Sequence, residues 1–243
     1  PSIQKTQNRF FSQQKLKNFL SQNFQNSQVY IDLSEIRRQF LYWKQELPFV
    51  TPYYAIKCNP DPKIVEFLGT LGAKFDCASQ GEMQLVHSLW YQSDDIIFAN
   101  PVKGKSHIEY AKNHSVQKMT FDSIEEYRKI REIYPDAHPI LRIAVDDSQS
   151  VCKFNTKFWA FPEQVTAFFQ EIENIGGNVY GVSFHVGSGC RDPKIHKDAI
   201  EKAATTILEG KKHGFSMNIL DIWGGYPSSD RYIKFSDIAY HIR

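Results

Sequence analysis

The chain has 243 residues, of which 42% are hydrophobic and 23% charged, and its formal net charge at pH 7 is +2. This length and composition are typical of one large α/β domain with a sizeable core. The near-neutral charge and the lack of a long basic run argue against nucleic acid as the main partner, and no apolar stretch is long enough for a membrane span.

The N-terminal 31 residues differ from the rest because they contain no Asp or Glu. Their basic residues are Lys5, Arg9, Lys15 and Lys17. An acid-free, basic, Ser-containing segment with apolar residues on one helix face is typical of mitochondrial targeting, and the alternative is a polar arm on the domain surface. We therefore expect a polar basic arm over residues 1–28 and a folded domain over residues 29–243.

From Val29 onward, strand and helix patterns alternate. A short strand is predicted at Val29–Leu33, followed by a helix through about Leu47. Seven further strands are predicted at Tyr53–Cys58, Lys74–Cys77, Ile96–Ala99, Gln117–Phe121, Ile140–Val145, Val179–His185 and Ile219–Ile222. The helical segments between them include Lys63–Leu71, Gly81–Leu89, Ile124–Ile133, Pro162–Ile175 and Lys197–His213.

This alternation predicts a parallel sheet with crossover helices, so the fold class is α/β. Counted from Tyr53, the chain has seven units, whereas a closed (β/α)8-type (TIM) barrel needs eight. The barrel is therefore expected to be incomplete. Three explanations stay open, namely an eighth strand supplied from elsewhere, an open barrel, or a fragment of a longer chain.

The most informative residue is Lys57, near the end of the mostly apolar run Pro52–Cys58. Burial at a strand end lowers the pKa of a lysine, and the neutral amine is the form that makes a Schiff base. The alternative is a lysine whose stem packs inside while its amine reaches water. The other strand ends carry further polar residues, which are Asp76, Asn100, Arg142, His185 and Asp221.

Because ligands bind at the carboxyl ends of parallel strands, these side chains are expected to share one site. The lysine suits an aldehyde, the histidine a flat ring, and the glycine-rich turns at Gly187–Gly189 and Gly224–Gly225 a phosphate. Pyridoxal phosphate has all three features, and no metal is expected. Each residue alone has a simpler explanation, since a strand-end aspartate usually caps a helix and a buried histidine is usually just hydrogen-bonded.

Six segments resemble the eukaryotic ornithine decarboxylases, which are pyridoxal-phosphate enzymes with the alanine-racemase-type barrel. They are Pro52–Asn59, Phe75–Ser79, Ala99–Lys103, Leu141–Asp147, Gly181–Cys190 and Leu220–Pro227. The resemblance implies that Lys57 carries the Schiff base and that Asp76 lies near it. It also implies that Glu82 pairs with Arg142 beside the cofactor.

The same resemblance implies that His185 stacks on the pyridine ring, while Ser188 and the Gly224–Gly225 loop hold the phosphate. Two positions depart from the family, which has glycine where this chain has Trp159 and Trp223. Glycines in the phosphate turn let backbone amides approach closely. We therefore expect the Trp223 indole to intrude on the phosphate space, so that cofactor binding is lost.

In the family's order, several site residues would follow Arg243. They are an acidic partner of the pyridine nitrogen, a phosphate-binding arginine, and a C-terminal β-domain with a substrate-binding aspartate and a cysteine that acts across the dimer interface. That β-domain is expected to be absent. The incomplete barrel would expose strand edges and apolar surface that invite a partner.

Three hypotheses follow. The first is a non-catalytic homologue that serves as a structural or accessory subunit of a larger protein assembly. The second is an active decarboxylase of ornithine or a related basic amino acid, working as a homodimer in polyamine synthesis. The third is a regulator that binds pyridoxal phosphate without turnover. Four cysteines without a Cys-x-x-Cys pair read as reduced thiols, so an intracellular place is expected, either mitochondrial or cytoplasmic.

Overall fold

The structure is a computed structural model that describes residues 14, 17–22, 25–26, 30–148, 150–152 and 162–243. Within these residues, seven parallel strands form one curled sheet in the order β1 to β7. The strands are β1 (Tyr53–Ala55), β2 (Lys74–Cys77), β3 (Ile96–Phe98), β4 (Lys118–Phe121), β5 (His138–Arg142), β6 (Gly181–Ser183) and β7 (Ile219–Asp221). The predicted parallel α/β sheet of seven units is confirmed.

Eight helices of the described chain surround the sheet in the manner of crossover connections. They are α1 (Leu33–Glu46), α2 (Pro62–Thr70), α3 (Gln80–Ser88), α4 (Lys105–Asn113), α5 (Ile124–Ile133), α6 (Pro162–Asn174), α7 (Lys194–Lys212) and α8 (Phe235–Ile242). Residues 17–20 of the N-terminal arm are also helical, while most of that arm, together with Trp159, lies outside the described residues. No helix in the described ranges has the length and apolar character of a membrane span.

The strand predicted at Val29–Leu33 is wrong, because Leu33 begins α1 and residues 30–32 are not in a strand. The Oδ1 of Asp32 accepts a hydrogen bond from the Ser34 amide at 2.9 Å. This helix cap satisfies an amide that the first turn would otherwise leave unpaired, and it outweighs the strand-like pattern. Val29 itself lies outside the described residues.

The core lies between the sheet and the helices and is rich in aromatic side chains. Fully buried examples are Phe75, Phe98, Phe121, Tyr127, Phe169 and Phe184. Burial of such side chains stabilises the fold by roughly 1.5–3 kcal/mol each. This packing fixes the strands, and so it fixes the positions of the loops at their carboxyl ends.

The layer of helices is continuous across the gap between β1 and β7, whereas these two strands do not pair in the described sheet. β1 and β7 are the two edges of the sheet, whereas α1 packs against α8 beside them. Leu47, Phe235 and Ala239 form a small buried cluster at this contact. A wide groove therefore lies between the two strand edges, and its upper end opens toward the residues described next.

Candidate active site

The strand register brings the predicted polar residues side by side. Ala55 of β1 lies opposite Asp76 of β2, so Asp76 borders the turn that carries Lys57. Ser183 of β6 lies between Arg142 of β5 and Asp221 of β7. The carboxyl ends of non-neighbouring strands thus converge on one mouth, as the curl of the sheet requires.

Lys57 does not lie in a strand. β1 ends at Ala55, and Ile56–Cys58 form a single 3-10 turn. Of the two alternatives for Lys57, the structure agrees with the one in which the amine reaches water, because the residue is exposed while Ile56 beside it is fully buried. The amine is therefore accessible at the mouth.

Asp76 is the most deeply buried carboxyl group of the mouth, with 3% of its surface exposed. Its Oδ2 atom has no hydrogen-bond partner among the described residues. Burial raises the pKa of Asp76 to about 7, although the positive charges of Lys57 and Arg142 act in the opposite direction. The carboxyl group of Asp76 therefore changes its protonation state near neutral pH.

Arg142 ends β5 and is buried at 5% exposure. Burial lowers the pKa of its guanidinium to about 10, while the nearby carboxylates of Asp221, Asp122 and Asp76 act to raise it. Asp221 accepts a hydrogen bond from the Ser183 hydroxyl at 2.8 Å, and burial raises its pKa to about 6. The positive charge of the Arg142 guanidinium therefore offsets the negative charge of several carboxyl groups.

Glu82 has a different role from the one that the resemblance implied. Its Oε2 atom accepts a hydrogen bond from the Ala78 amide at 2.6 Å, and its own amide donates to the Ser79 hydroxyl at 3.3 Å. The expected pair with Arg142 is not found among the ion pairs of the described chain. The Ser-x-x-Glu spacing is that of a capping box, which is the signal that the sequence offered for this contact.

His185 follows β6 and is buried at 6% exposure. The Gly187 amide donates to its Nδ1 at 2.8 Å, so Nδ1 is the unprotonated nitrogen. Burial lowers the pKa of His185 to about 3, and the charges of Arg142 and Lys57 act in the same direction. The imidazole is therefore neutral at physiological pH.

The Gly224–Gly225 turn lies directly against this imidazole. Gly224 has φ +81°, and a Cβ atom added to it would lie 2.2 Å from Nε2 of His185. Only glycine allows this approach and this backbone conformation. The close packing that the glycine-rich pattern predicted is present.

Ser188 is exposed, and its backbone is already used. Its amide donates to the Cys152 carbonyl at 3.2 Å, and the Cys152 amide donates back to the Ser188 carbonyl at 3.1 Å. Any contact with a phosphate would have to come from the hydroxyl of Ser188. The residues that cover this turn, Ser150 and Cys152, were missed because their polar loop has no distinctive sequence pattern.

Trp223 occupies the centre of the mouth. Its ring centroid lies 4.5 Å from Lys57 Nζ and 4.5 Å from Arg142 Cζ. The His185 ring meets it edge-on at 4.7 Å and 85°. A flat cofactor ring that touched the same lysine and histidine would need the place that the indole holds. As they stand, these residues do not fit pyridoxal phosphate.

The family profile described as "Pyridoxal-dependent decarboxylase, pyridoxal binding domain" matches residues 33–243. The chain belongs to this decarboxylase family. The predicted resemblance to eukaryotic ornithine decarboxylases is confirmed by this profile together with the relatives described next.

Individual relatives support the same family. The chain is 42% identical to ornithine decarboxylase of Rattus norvegicus over 227 residues, which are 93% of this chain and 49% of that protein. It is also 42% identical to antizyme inhibitor 2 of Xenopus laevis over 209 residues, which are 86% of this chain and 46% of that protein. The chain spans about half the length of the curated relatives it matches.

A solved structure gives the same result. The X-ray structure of the arginine decarboxylase of Paramecium bursaria Chlorella virus superposes with a TM-score of 0.82 at 32% sequence identity. The match covers 86% of this chain and 56% of that one. The curled seven-stranded sheet and its helices are therefore similar to part of a larger decarboxylase.

Proposed function

We propose that this protein is a non-catalytic member of the pyridoxal-dependent decarboxylase family and acts as a structural or accessory subunit of a larger assembly. The observation that carries the proposal is the position of the Trp223 indole over the Lys57 amine. In a decarboxylase of this family the resemblance assigns that amine to the cofactor aldehyde. Here the same amine faces an aromatic ring that belongs to the protein.

The surroundings of the indole support this proposal. Arg142 and His185 also contact the Trp223 ring, so three residues that the resemblance assigns to the cofactor are engaged by one side chain. Cation–π contacts of this kind are worth about 0.5–2 kcal/mol each, and they favour the indole in this position. One relative at 42% identity also carries the name of an inhibitor instead of a decarboxylase.

An active decarboxylase of ornithine or a related basic amino acid is the second candidate. It is favoured by the convergence of Lys57, Asp76, Arg142 and His185 on one mouth, and by relatives named for ornithine and arginine decarboxylation. A regulator that binds pyridoxal phosphate without turnover is the third candidate. This regulator would require that Lys57 bind the cofactor aldehyde, but it would not require decarboxylation.

One set of measurements separates the three candidates. The native protein is purified gently, sized, incubated with pyridoxal phosphate and freed of excess cofactor, and then assayed for carbon dioxide release from ornithine, lysine and arginine. We expect a large assembly, no stoichiometric cofactor and no carbon dioxide. A free homodimer that releases carbon dioxide at enzyme-like rates would establish the decarboxylase, whereas bound cofactor without carbon dioxide would favour the regulator.

The proposed place of this assembly is the mitochondrion. This part of the proposal rests on the acid-free, basic composition of residues 1–31. Cell fractionation followed by immunoblotting of the native protein tests it. Recovery in the cytosolic fraction alone would contradict it.

A further inference from the structure

We infer that the Trp223 indole keeps a planar aldehyde of the pyridoxal phosphate type away from Lys57, and that the slot left by its removal accepts one there. This inference rests on the proposed function, since it names the residue responsible for the loss. It goes further in assigning the loss to one side chain.

The first step is that one side chain fills the space between the groups that would hold the cofactor. The Trp223 centroid lies within 4.7 Å of the His185 ring and 4.5 Å from the charged groups of Lys57 and Arg142. An indole and a pyridine are both flat rings, so both cannot occupy this space. Removal of the indole would free a slot of suitable shape between the same three groups.

The second step is that the walls of this slot are held by contacts that do not involve Trp223. His185 is oriented by the Gly187 amide at 2.8 Å. Asp221 is fixed by the Ser183 hydroxyl at 2.8 Å. Because these bonds join β6, its following turn and β7, the slot should persist instead of collapsing when the indole is removed.

The third step concerns the turn that carries Trp223. Gly224 and Gly225 already have φ +81° and φ +87°, and a Cβ atom on Gly225 would lie 2.4 Å from Val186 Cγ2. The turn is therefore fixed by the packing of these two glycines against the residues that follow β6. A smaller residue at position 223 should leave its path unchanged.

The test uses the protein at its native length, with Trp223→Gly and Trp223→Ala as the opening variants and Trp223→Phe as the matched aromatic control. Each is incubated with pyridoxal phosphate, reduced with borohydride and digested, and the adduct on Lys57 is quantified by mass spectrometry. We expect about one adduct per chain at Lys57 in the Gly and Ala variants. We expect only background in the wild type and the Phe variant, and none in Trp223→Gly combined with Lys57→Arg.

A second measurement uses the wild type and does not depend on the folding of any variant. Formaldehyde has no ring, so with borohydride it should methylate the exposed amines of Lys57 and Lys63 to similar extents. Pyridoxal phosphate should label Lys57 at least about tenfold less than Lys63, which is a difference of about 1.4 kcal/mol. Lys63 lies at the start of α2 and serves as the internal reference.

The outcomes distinguish this inference from the proposed function. If the opening variants fold and take up no cofactor at Lys57, the inference fails while the non-catalytic proposal stands. If pyridoxal phosphate and formaldehyde have the same preference between Lys57 and Lys63 in the wild type, Trp223 is no barrier and the inference also fails. Carbon dioxide release by the wild type would overturn the proposed function as well.

Discussion

At the residue scale, Asp76 makes the stability of the protein depend on pH. Its pKa is about 7 in the folded protein because of burial, whereas an unfolded aspartate has a pKa of about 3.9. The folded state therefore binds more protons between these values, and this contribution to stability is present at low pH and lost as pH rises through about 7.

We predict that Asp76→Asn removes this loss. The free energy of unfolding of the variant relative to the wild type should increase by about 2 kcal/mol from pH 5 to pH 8. Urea unfolding at the two pH values measures it. Asp198→Asn, at an exposed position of α7, is the control and should show no such change. Equal pH dependence of the wild type and Asp76→Asn would contradict the prediction.

The sequence indicated which residue types meet at the mouth but not how they are used. Lys57, Arg142 and His185 could be placed there because strand ends in a parallel sheet share one edge. The choice between a buried and an exposed Lys57 amine could not be made from the sequence, because it depends on a 3-10 turn that follows β1 after three residues. The indole of Trp223 was expected near the phosphate, whereas it contacts the residues assigned to the aldehyde and the ring.

At the element scale, the end of α3 carries a strained residue. Trp90 has φ +66° two positions after the last helical residue, Ser88, and it is 89% exposed. A left-handed conformation costs a residue with a Cβ atom roughly 1–2 kcal/mol, and glycine does not pay it. Because the indole is so exposed, its packing offsets little of this cost.

We predict that Trp90→Gly is more stable than Trp90→Ala by about 1 kcal/mol, because alanine keeps the Cβ atom and glycine does not. Thermal and urea unfolding of the two variants measure the difference. Since both substitutions remove the same indole, the comparison isolates the backbone effect. A more stable alanine variant would show that the backbone relaxes away from positive φ at this site.

A second element depends on a buried ion pair. Lys103 Nζ lies 2.9 Å from Glu126 Oε1, and both side chains are at most 3% exposed. The same ammonium donates to the Thr120 carbonyl at 2.5 Å, so it ties the loop after β3 to β4 and α5. Burial lowers the pKa of Lys103 to about 8, while the charge of Glu126 and its hydrogen bond act to raise it.

We predict that Glu126→Gln destabilises the fold by about 3 kcal/mol at neutral pH, because it leaves a buried ammonium without its counter-charge. The matched control is Glu171→Gln, which removes the exposed pair with Arg128 and should cost less than about 1 kcal/mol. Urea unfolding of both variants measures this. If both variants lost the same free energy of unfolding, the hydrogen bond to the Thr120 carbonyl would be sufficient to stabilise the Lys103 ammonium.

The elements also show where sequence patterns are sufficient. The seven strands were predictable because each is a short apolar run bounded by helix caps and glycines. The strand at Val29–Leu33 was wrong because Asp32 is a helix cap, and caps depend on a single hydrogen bond that a pattern of apolar residues does not reveal. The bounds of β2 were predicted without error, whereas those of the other six strands differed by one to three residues.

At the scale of the whole molecule, an aromatic cluster joins the two ends of the helical layer. Trp43 of α1 stacks on Phe235 of α8 at 5.2 Å and meets Tyr226 edge-on at 4.9 Å. Its Nε1 donates to the Val50 carbonyl at 3.2 Å. Because β1 and β7 do not pair in the described sheet, the first and last helices are coupled by this cluster and by the Arg243–Glu46 ion pair.

We predict that Trp43→Ala lowers the free energy of unfolding by about 3 kcal/mol and speeds amide hydrogen exchange in α8. The reason is that α8 would lose its stacking contact with Trp43, although the Tyr42–Phe235 contact and the Arg243–Glu46 ion pair would remain. Hydrogen exchange read by mass spectrometry, with Trp90→Ala as the control for removal of an exposed indole, measures both effects. If the α8 amides exchange as slowly as in the wild type, the Trp43 contact does not stabilise α8, and its other contacts with α1 and α7 are sufficient to hold it.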